Sequence, residues 1–241
     1  MYIQRIGILS QTQGVTPNPI WNNLTNYWAF SETSGTTVAD LKGNSTGTLT
    51  NAGARSASGK RGYCFTNNGG YNCGYTGAYN YTYAQKYSVS FWFKDVTGYP
   101  VVPILCNFDS NTTGWIDIYL NGQTIFFALF YNNYSGRCFV TAANVIPDTT
   151  NWHHVLCTYN GDKNANNMKI YIDGGNNVAA VATNSLTYTG TLGTTTIYTN
   201  KRNVTSYNNN ALVDEIALFN GTVLSQADAA TLYNSGAGLF Y

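Results

Sequence analysis

Trp152–Gly161 reads WHHVLCTYNG and, after the polar stretch DKNANN, Met168–Gly175 reads MKIYIDGG. Both runs are rich in β-branched and aromatic residues, which suit a pleated, half-buried surface. The Asn-rich stretch between them reads as a turn. The second run ends in Asp173-Gly174, and both residue types accept the positive φ that a type I′ turn demands. Two strands and a tight turn are therefore expected within about 25 residues.

The same alternation continues along the chain. Candidate strands are Tyr27–Phe30, Arg61–Thr66, Ser88–Lys94, Val102–Asn107, Trp115–Leu120 and Thr124–Tyr131, then Arg137–Ala142, His153–Tyr159, Lys169–Ile172, Val178–Thr183, Thr195–Tyr198 and Leu212–Phe219. Many short strands at this spacing predict an all-β sandwich or barrel. One helix is expected, from about Gln226 to Tyr233, with Ser225 as N-cap, Asp228 approximating a capping box and Gly236 beyond its end. The first 22 residues are polar, contain Pro17 and Pro19, and show no period. They read as an arm or edge segment outside the main core, leaving residues 23–241 as one domain.

Composition narrows the function. Only 10% of the 241 residues are charged, the net charge is +1, and no basic stripe exists, which argues against nucleic-acid binding. No apolar run approaches the length of a membrane span. Asn and Thr, about thirty of each, stand with 24 Gly and 20 Tyr where charge would ordinarily be. A surface of amides and hydroxyls suits sugar recognition or close subunit packing, because neutral polar groups lose less on desolvation than ions. The opening MYIQRIGILSQTQG lacks the continuous apolar segment and cleavage site of a signal peptide, so export by lysis or as part of a particle is expected.

Five cysteines leave at least one unpaired or intermolecular. A two-residue turn at Asn68-Gly69 would set Cys64 opposite Cys73, close enough for a disulfide. Two small buried thiols are the alternative.

Six stretches in order resemble the laminin-G-like branch of the concanavalin A-like sandwiches. They are NYWAFSETSGTTVAD (Asn26–Asp40), GKRGYCFTNNGGY (Gly59–Tyr71), SVSFWFK (Ser88–Lys94), the WHHV strand, the YIDG hairpin, and VDEIALFNGTVLSQADAATLY (Val213–Tyr233). The resemblance extends from about Leu24 to Gly236. It implies a two-sheet antiparallel jelly roll with one short C-terminal helix, in which Trp28, Trp92 and Trp152 are core or sheet-face residues. It resembles such domains in phage structural and adhesion proteins. The resemblance also implies a structural calcium near the opening Asp loop and the closing Asp-Glu strand, on Asp40, Asn44 and Asp214. Otherwise Asp40 caps a turn and Asp214 accepts from backbone amides.

Catalysis is not expected. Glycosidases need two carboxyls facing each other, and on a strand only residues at i and i+2 or i+4 share a face. Glu32 and Glu215 are the only glutamates, and Asp214 and Glu215, being adjacent, should point to opposite faces. His153 and His154, the only histidines, are likewise adjacent and cannot jointly hold zinc, so one packed and one exposed histidine is expected. For ligand contacts, the Tyr/Asn-rich regions Tyr71–Tyr87 and Phe126–Arg137 nominate Tyr75, Tyr79, Tyr81, Tyr83, Tyr131 and Tyr134, since Tyr offers a flat apolar face and a hydroxyl.

The expectation is a non-catalytic, lectin-like sandwich on a particle surface, most simply a virion, decorating a shell or fibre and touching host cell-surface glycans. Its partners would be capsid or other particle subunits, with oligomer formation possible. A secreted, extracellular bacterial carbohydrate-binding module and a purely structural subunit are the rivals.

Overall fold

The computed structural model describes residues 18–76, 82–94, 101–107, 114–131, 135–188, 190, 196–202, 205–206 and 210–241. Residues 1–17 of the expected arm, and the candidates Tyr79, Tyr81 and Tyr134, lie outside them.

After a 3₁₀ turn at Pro19–Asn23 come β1 (Asn26–Trp28), β2 (Thr37–Val38), β3 (Thr46–Leu49), β4 (Arg55–Gly59), β5 (Gly62–Thr66) and β6 (Cys73–Thr76). The middle supplies β7 (Tyr87–Lys94), β8 (Val102–Cys106), β9 (Gly114–Asn121), β10 (Thr124–Tyr131), β11 (Gly136–Ala142), β12 (His153–Tyr159) and β13 (Lys169–Ile172). The chain closes with β14 (Ala180–Asn184), β15 (Ile197–Thr199), β16 (Lys201–Arg202), β17 (Thr205–Ser206), β18 (Leu212–Asn220) and α1 (Gln226–Tyr233).

Two antiparallel sheets hold almost all of these strands. The first runs β13-β12-β7-β18-β5-β4, with β1 added to β18; the second runs β14-β11-β10-β9-β8-β15-β6-β3-β2. The main core fills the space between them, with Trp28, Phe65, Phe91, Val155 and Ile216 from the first sheet facing Tyr75, Ile118, Phe127 and Val140 from the second. This is the jelly-roll sandwich that the strand pattern and the motif order imply.

A second apolar cluster covers the outer face of the first sheet. Leu156, Tyr171, Ala217 and Phe219 meet Ala229 and Leu232 of α1 and Ile20 and Trp21 of the 3₁₀ turn. The last residues of the expected arm are thus docked outside the main core. Helix α1 begins as expected: Ser225 accepts from the Asp228 N–H while the Asp228 carboxylate accepts from the Ser225 N–H. It also ends at Tyr233 as expected, but the left-handed residue that caps it is Asn234, with Gly236 in the following 3₁₀ turn.

Strands β12 and β13 pair from Val155–Ile172 to Thr158–Lys169, as their patterning predicts. The Asp173-Gly174 turn closes after β13, with the Gly175 N–H donating to the Ile172 carbonyl and φ of +49° and +69° at its two centres. Gly174 is demanded twice over. A Cβ there would also lie 2.9 Å from the Ala230 Cα of α1.

The Asn68-Gly69 hairpin does not form. Strands β5 and β6 belong to different sheets, so Cys64 and Cys73 do not face each other in a ladder, and all five cysteines are free and buried. The stretch crosses from one sheet to the other, a route that local turn chemistry does not distinguish from a hairpin.

Candidate functional site

Strand β18 carries the irregularity that builds the site. Asp214 pairs with Trp92 and Ala217 with Ser90, leaving Glu215 and Ile216 opposite a single residue of β7. This is a β-bulge, and Glu215 sits in it with φ of +52°. Val213 and Ile216 both point into the main core, so Asp214 and Glu215 share the interval that one residue would occupy in a regular strand. Both carboxyls therefore serve the outer side of the sheet. This corrects the expectation that adjacency sends them to opposite faces.

Their environments differ. Asp214 is fully buried, and its oxygens accept from the backbone N–H groups of Lys60 (2.8 Å), Arg61 (3.3 Å) and Glu215 (3.0 Å). Glu215, 4% exposed, accepts the Tyr27 hydroxyl with Oε2. No hydrogen bond from the described residues reaches its Oε1. Burial pushes the Glu215 carboxyl up to about 7, against the pull of the Tyr27 hydroxyl and the Arg61 charge. Burial, and then the Glu215 charge, push Asp214 up as well. The Tyr27 hydroxyl is held protonated by burial and by Glu215, so it remains a donor.

Glu215 opens into a cleft of about 250 Å³ lined by Ala29, Ser31, Leu41, Arg61 and Tyr241. Between Ala29 and Ser31 stands Phe30, a second non-glycine residue in the left-handed region, at φ +50°. Its ring is buried in the main core against Phe65, 5.9 Å between centroids, which fixes the wall on that side. Phe30 and Glu215 are two of eight non-glycine residues with positive φ among the described residues, each costing about 1–3 kcal/mol. The Tyr241 ring forms another wall, backed by Tyr27 and Trp21 at 5.6 and 5.9 Å, with Lys42 Nζ 5.4 Å from its centroid.

The loop beneath this cleft is organised by Asp40. Its carboxylate accepts from the N–H groups of Tyr27 (2.8 Å), Lys42 (3.0 Å), Asn44 (3.0 Å) and Ser45 (2.9 Å), and from Asn26 Nδ2 (2.7 Å). Asn44 sends its own side-chain amide to the Thr25 carbonyl, 2.6 Å away. The groups aimed at Asp40 and Asp214 are N–H donors, which a cation cannot use. Calcium requires oxygen ligands, so this donor set does not fit it. Asp40 closes a loop and Asp214 ties the β4–β5 turn to β18. Among the described residues no group of three or more His, Cys, Asp or Glu side chains could hold a metal.

The tyrosine candidates divide. Tyr75 is fully buried against Trp28, with ring centroids 4.3 Å apart, and its hydroxyl shares a 2.8 Å hydrogen bond with Thr199 Oγ1. Tyr83 is fully buried and donates to the Phe130 carbonyl. Neither can meet a ligand: strand alternation places Tyr75 inside, and the turn before β7 carries Tyr83 inward. Tyr131 is half-buried and stacks on Tyr188 at 3.9 Å. Among the described residues it is the one nominated tyrosine at the surface, and it is not part of the Glu215 cleft.

Both histidines are buried, which corrects the expectation of one exposed. His153 Nδ1 lies 2.8 Å from Asp173 Oδ2, and Asp173 Oδ1 accepts the His154 N–H. His154 Nε2 meets Ser90 Oγ at 2.8 Å, beside the Trp92 ring. Trp28 and Trp92 are buried, and Trp152 is half-buried.

Sequence reasoning did not nominate Glu215, Arg61, Ser31, Leu41 or Tyr241 as ligand contacts. One signal was present: two adjacent acids, one of them a rare glutamate, inside the apolar run VDEIALF, where a regular strand has no good place for both.

The cleft lies at the margin of the outer cluster of the jelly roll. The chain belongs to the laminin-G-like family, described as the concanavalin A-like lectin/glucanases superfamily, whose match covers residues 68–230. No curated protein sequence matches it. Among solved structures it is similar to domain 4 of AbnA, an extracellular arabinanase from Geobacillus stearothermophilus, in complex with arabinotriose. That likeness has 21% identity and a TM-score of 0.62, over 86% of this chain and 97% of that one. It is also similar to the binding domain of Paraclostridial Mosquitocidal Protein 1 (14% identity, TM-score 0.63, 90% of this chain and 53% of that one). A third likeness is the binding domain of botulinum neurotoxin DC in complex with SialylT (18% identity, TM-score 0.63, 90% and 52%). The chain therefore spans about half of each toxin binding domain and nearly all of the arabinanase domain. At these identities the likeness is one of fold.

Proposed function

We propose that this sandwich is a non-catalytic glycan-binding module that uses the cleft beside the β18 bulge. The observation that carries the reading is the cleft itself. A buried carboxyl with a free oxygen, a guanidinium, a serine and a tyrosine ring converge on a space smaller than the ~300–1,000 Å³ of drug-sized pockets. Polar groups that fix hydroxyls beside an apolar wall are what a sugar ring needs. The printed ligands of two fold neighbours, arabinotriose and SialylT, agree with it.

Absence of catalysis is argued from the same geometry. Hydrolysis of a glycosidic bond needs two carboxyls about 5–10 Å apart across the substrate. Among the described acidic residues only Glu215 lines the cleft, while Asp214 is held by backbone N–H groups. The finer reading, display on a virion or other particle surface with capsid subunits as partners and cell-surface glycans as targets, is supported by the neutral, amide- and hydroxyl-rich composition.

A glycan array probed with the purified protein tests the function. Binding of a defined set of glycans, with no release of reducing sugar from any of them, is the expected result. An array with no bound glycan would refute it. Locating the protein in purified particles by peptide mass spectrometry tests the finer reading.

A further inference from the structure

We infer that the cleft takes the terminal ring of a neutral sugar, held through a vicinal diol between Glu215 and Arg61, and discriminates against the matching acidic sugar. This rests on the glycan-binding reading and names the ligand class of the same site.

Of the two Glu215 oxygens, Oε2 is engaged by the Tyr27 hydroxyl, and Oε1 receives no hydrogen bond from the described residues. That oxygen is an acceptor on a side chain 4% exposed, at a cleft wall. In the ionised form of Glu215, which prevails above about pH 7, a hydroxyl can donate to it; a ligand carboxylate cannot, and would meet a like charge at short range. Arg61, exposed at the β4–β5 turn, lines the same cleft and supplies only donors. An acceptor and a donor on one cleft match two neighbouring hydroxyls, one giving a proton and the other receiving. A carboxyl and a cation that line one cleft offset each other, so an anionic ligand gains little from Arg61 that Glu215 does not cancel.

Size and walls point the same way. A cleft of about 250 Å³ accommodates one sugar ring, which fits a terminal residue. Leu41 and the Tyr241 ring give the C–H face of that ring an apolar surface. Holding Glu215 in the left-handed region is what turns its carboxyl out of the ladder, so the strain has a use at this position.

The test compares methyl hexosides with the corresponding methyl uronosides, which differ only in oxidation at C6. Binding to the full chain is followed at pH 8, where Glu215 is ionised, by titration calorimetry or ligand-observed NMR. A neutral glycoside is expected to bind at least tenfold more tightly than its uronoside. Glu215→Gln and Arg61→Ala should each weaken the neutral ligand at least tenfold, with thermal melts showing both variants folded. Arg61 is exposed, so its replacement reports on binding even where the Glu215 variant is unstable. Preference for the uronoside, strengthened by Glu215→Gln, would overturn the inference and leave glycan binding standing. So would array binding that neither variant alters. No binding to any glycan would instead remove the reading on which the inference rests.

Discussion

Two pairs of adjacent polar residues lie on one sheet and follow opposite rules. His153 and His154 stand on β12, whose ladder with β7 is regular from His153–Phe93 to Tyr159–Tyr87. Their side chains separate as strand alternation requires. His153 shares the side of Phe93, a main-core residue, and His154 joins Trp92 and Ser90 on the outer face. Asp214 and Glu215 stand on β18, where one extra residue cancels the alternation and gives both carboxyls the same side. The histidines are consequently two independent structural groups. The acids form one coupled unit, with one member anchoring backbone and the other opened to a cleft. A period-two reading describes the first pair and misplaces the second, and the functional candidate lies where the period fails.

The comparison predicts that anchoring is worth more at the bulge than at the turn. Replacing Asp214 by Ala leaves the Lys60, Arg61 and Glu215 N–H groups without their acceptor at a fully buried position. Chemical denaturation should show a loss of about 3 kcal/mol or more. The matching change at the histidine pair, Asp173→Ala, removes the acceptor of His153 Nδ1 and of the His154 N–H and puts Ala at φ +49°. There the carboxylate is part-exposed and water can replace some of what is lost, so about 2 kcal/mol is expected. If Asp173→Ala proved the costlier, the bulge would be a passive irregularity.

Much of this architecture can be read before folding is considered. Strands β10, β12 and β13 match their expected bounds residue for residue, because each is a dense apolar and β-branched run between Asn or Gly breaks. The capping box at Ser225 is equally local. Strands β3, β4 and β6 were missed because TGTL, RSASG and CGYT carry little apolar pattern, and their pairing partners stabilise them from a distance. The cleft is missing for a different reason. Ala29, Leu41, Arg61, Glu215 and Tyr241 are brought together by the addition of β1 to β18 and by a bulge, neither of which leaves a periodic trace. The nominated Tyr75 and Tyr83 show the converse: composition marks tyrosines, but strand alternation at Tyr75 and the path of the turn at Tyr83 decide that both face inward.

His154 and the carboxyl pair should also govern opposite flanks of the pH–stability profile. His154 is pushed down to about 3, chiefly by burial, so its folded value lies below its unfolded value. Its contribution is present above the usual imidazole range and is lost as pH falls from about 6.5 toward 3. Glu215 is pushed up to about 7, again chiefly by burial, so its contribution is complete at acid pH and is lost as pH rises from about 4 through 7. Asp214, also raised, adds to that alkaline loss, and so does His153, which the Asp173 hydrogen bond raises. Glu215→Gln keeps an acceptor for Tyr27 and removes the titration. It should raise the melting temperature at pH 8 by about 2–5 °C and leave the acid flank unchanged. Melting curves from pH 4 to 9 check both halves, and an unchanged alkaline slope would mean that Glu215 is not the titrating partner.

The smallest effect concerns the thiols nearest the two regions. Cys64 pairs with Ser56 across β4–β5 and feels the Asp214 charge; burial first, and that charge second, push its thiol up to about 12. Cys157 on β12 lies in the main core between the sheets, where burial alone pushes its thiol up. A thiol reacts as its thiolate, so neither should be modified in the folded protein at pH 8, and reductant should leave the melting temperature unchanged because the cysteines are free. Selective labelling of Cys64 by iodoacetamide, with Cys157 untouched, would show that the bulge region opens where β12 does not. That outcome would relocate the difference between the two pairs from static geometry to local stability, since the carboxyl unit and Cys64 would then share one opening motion.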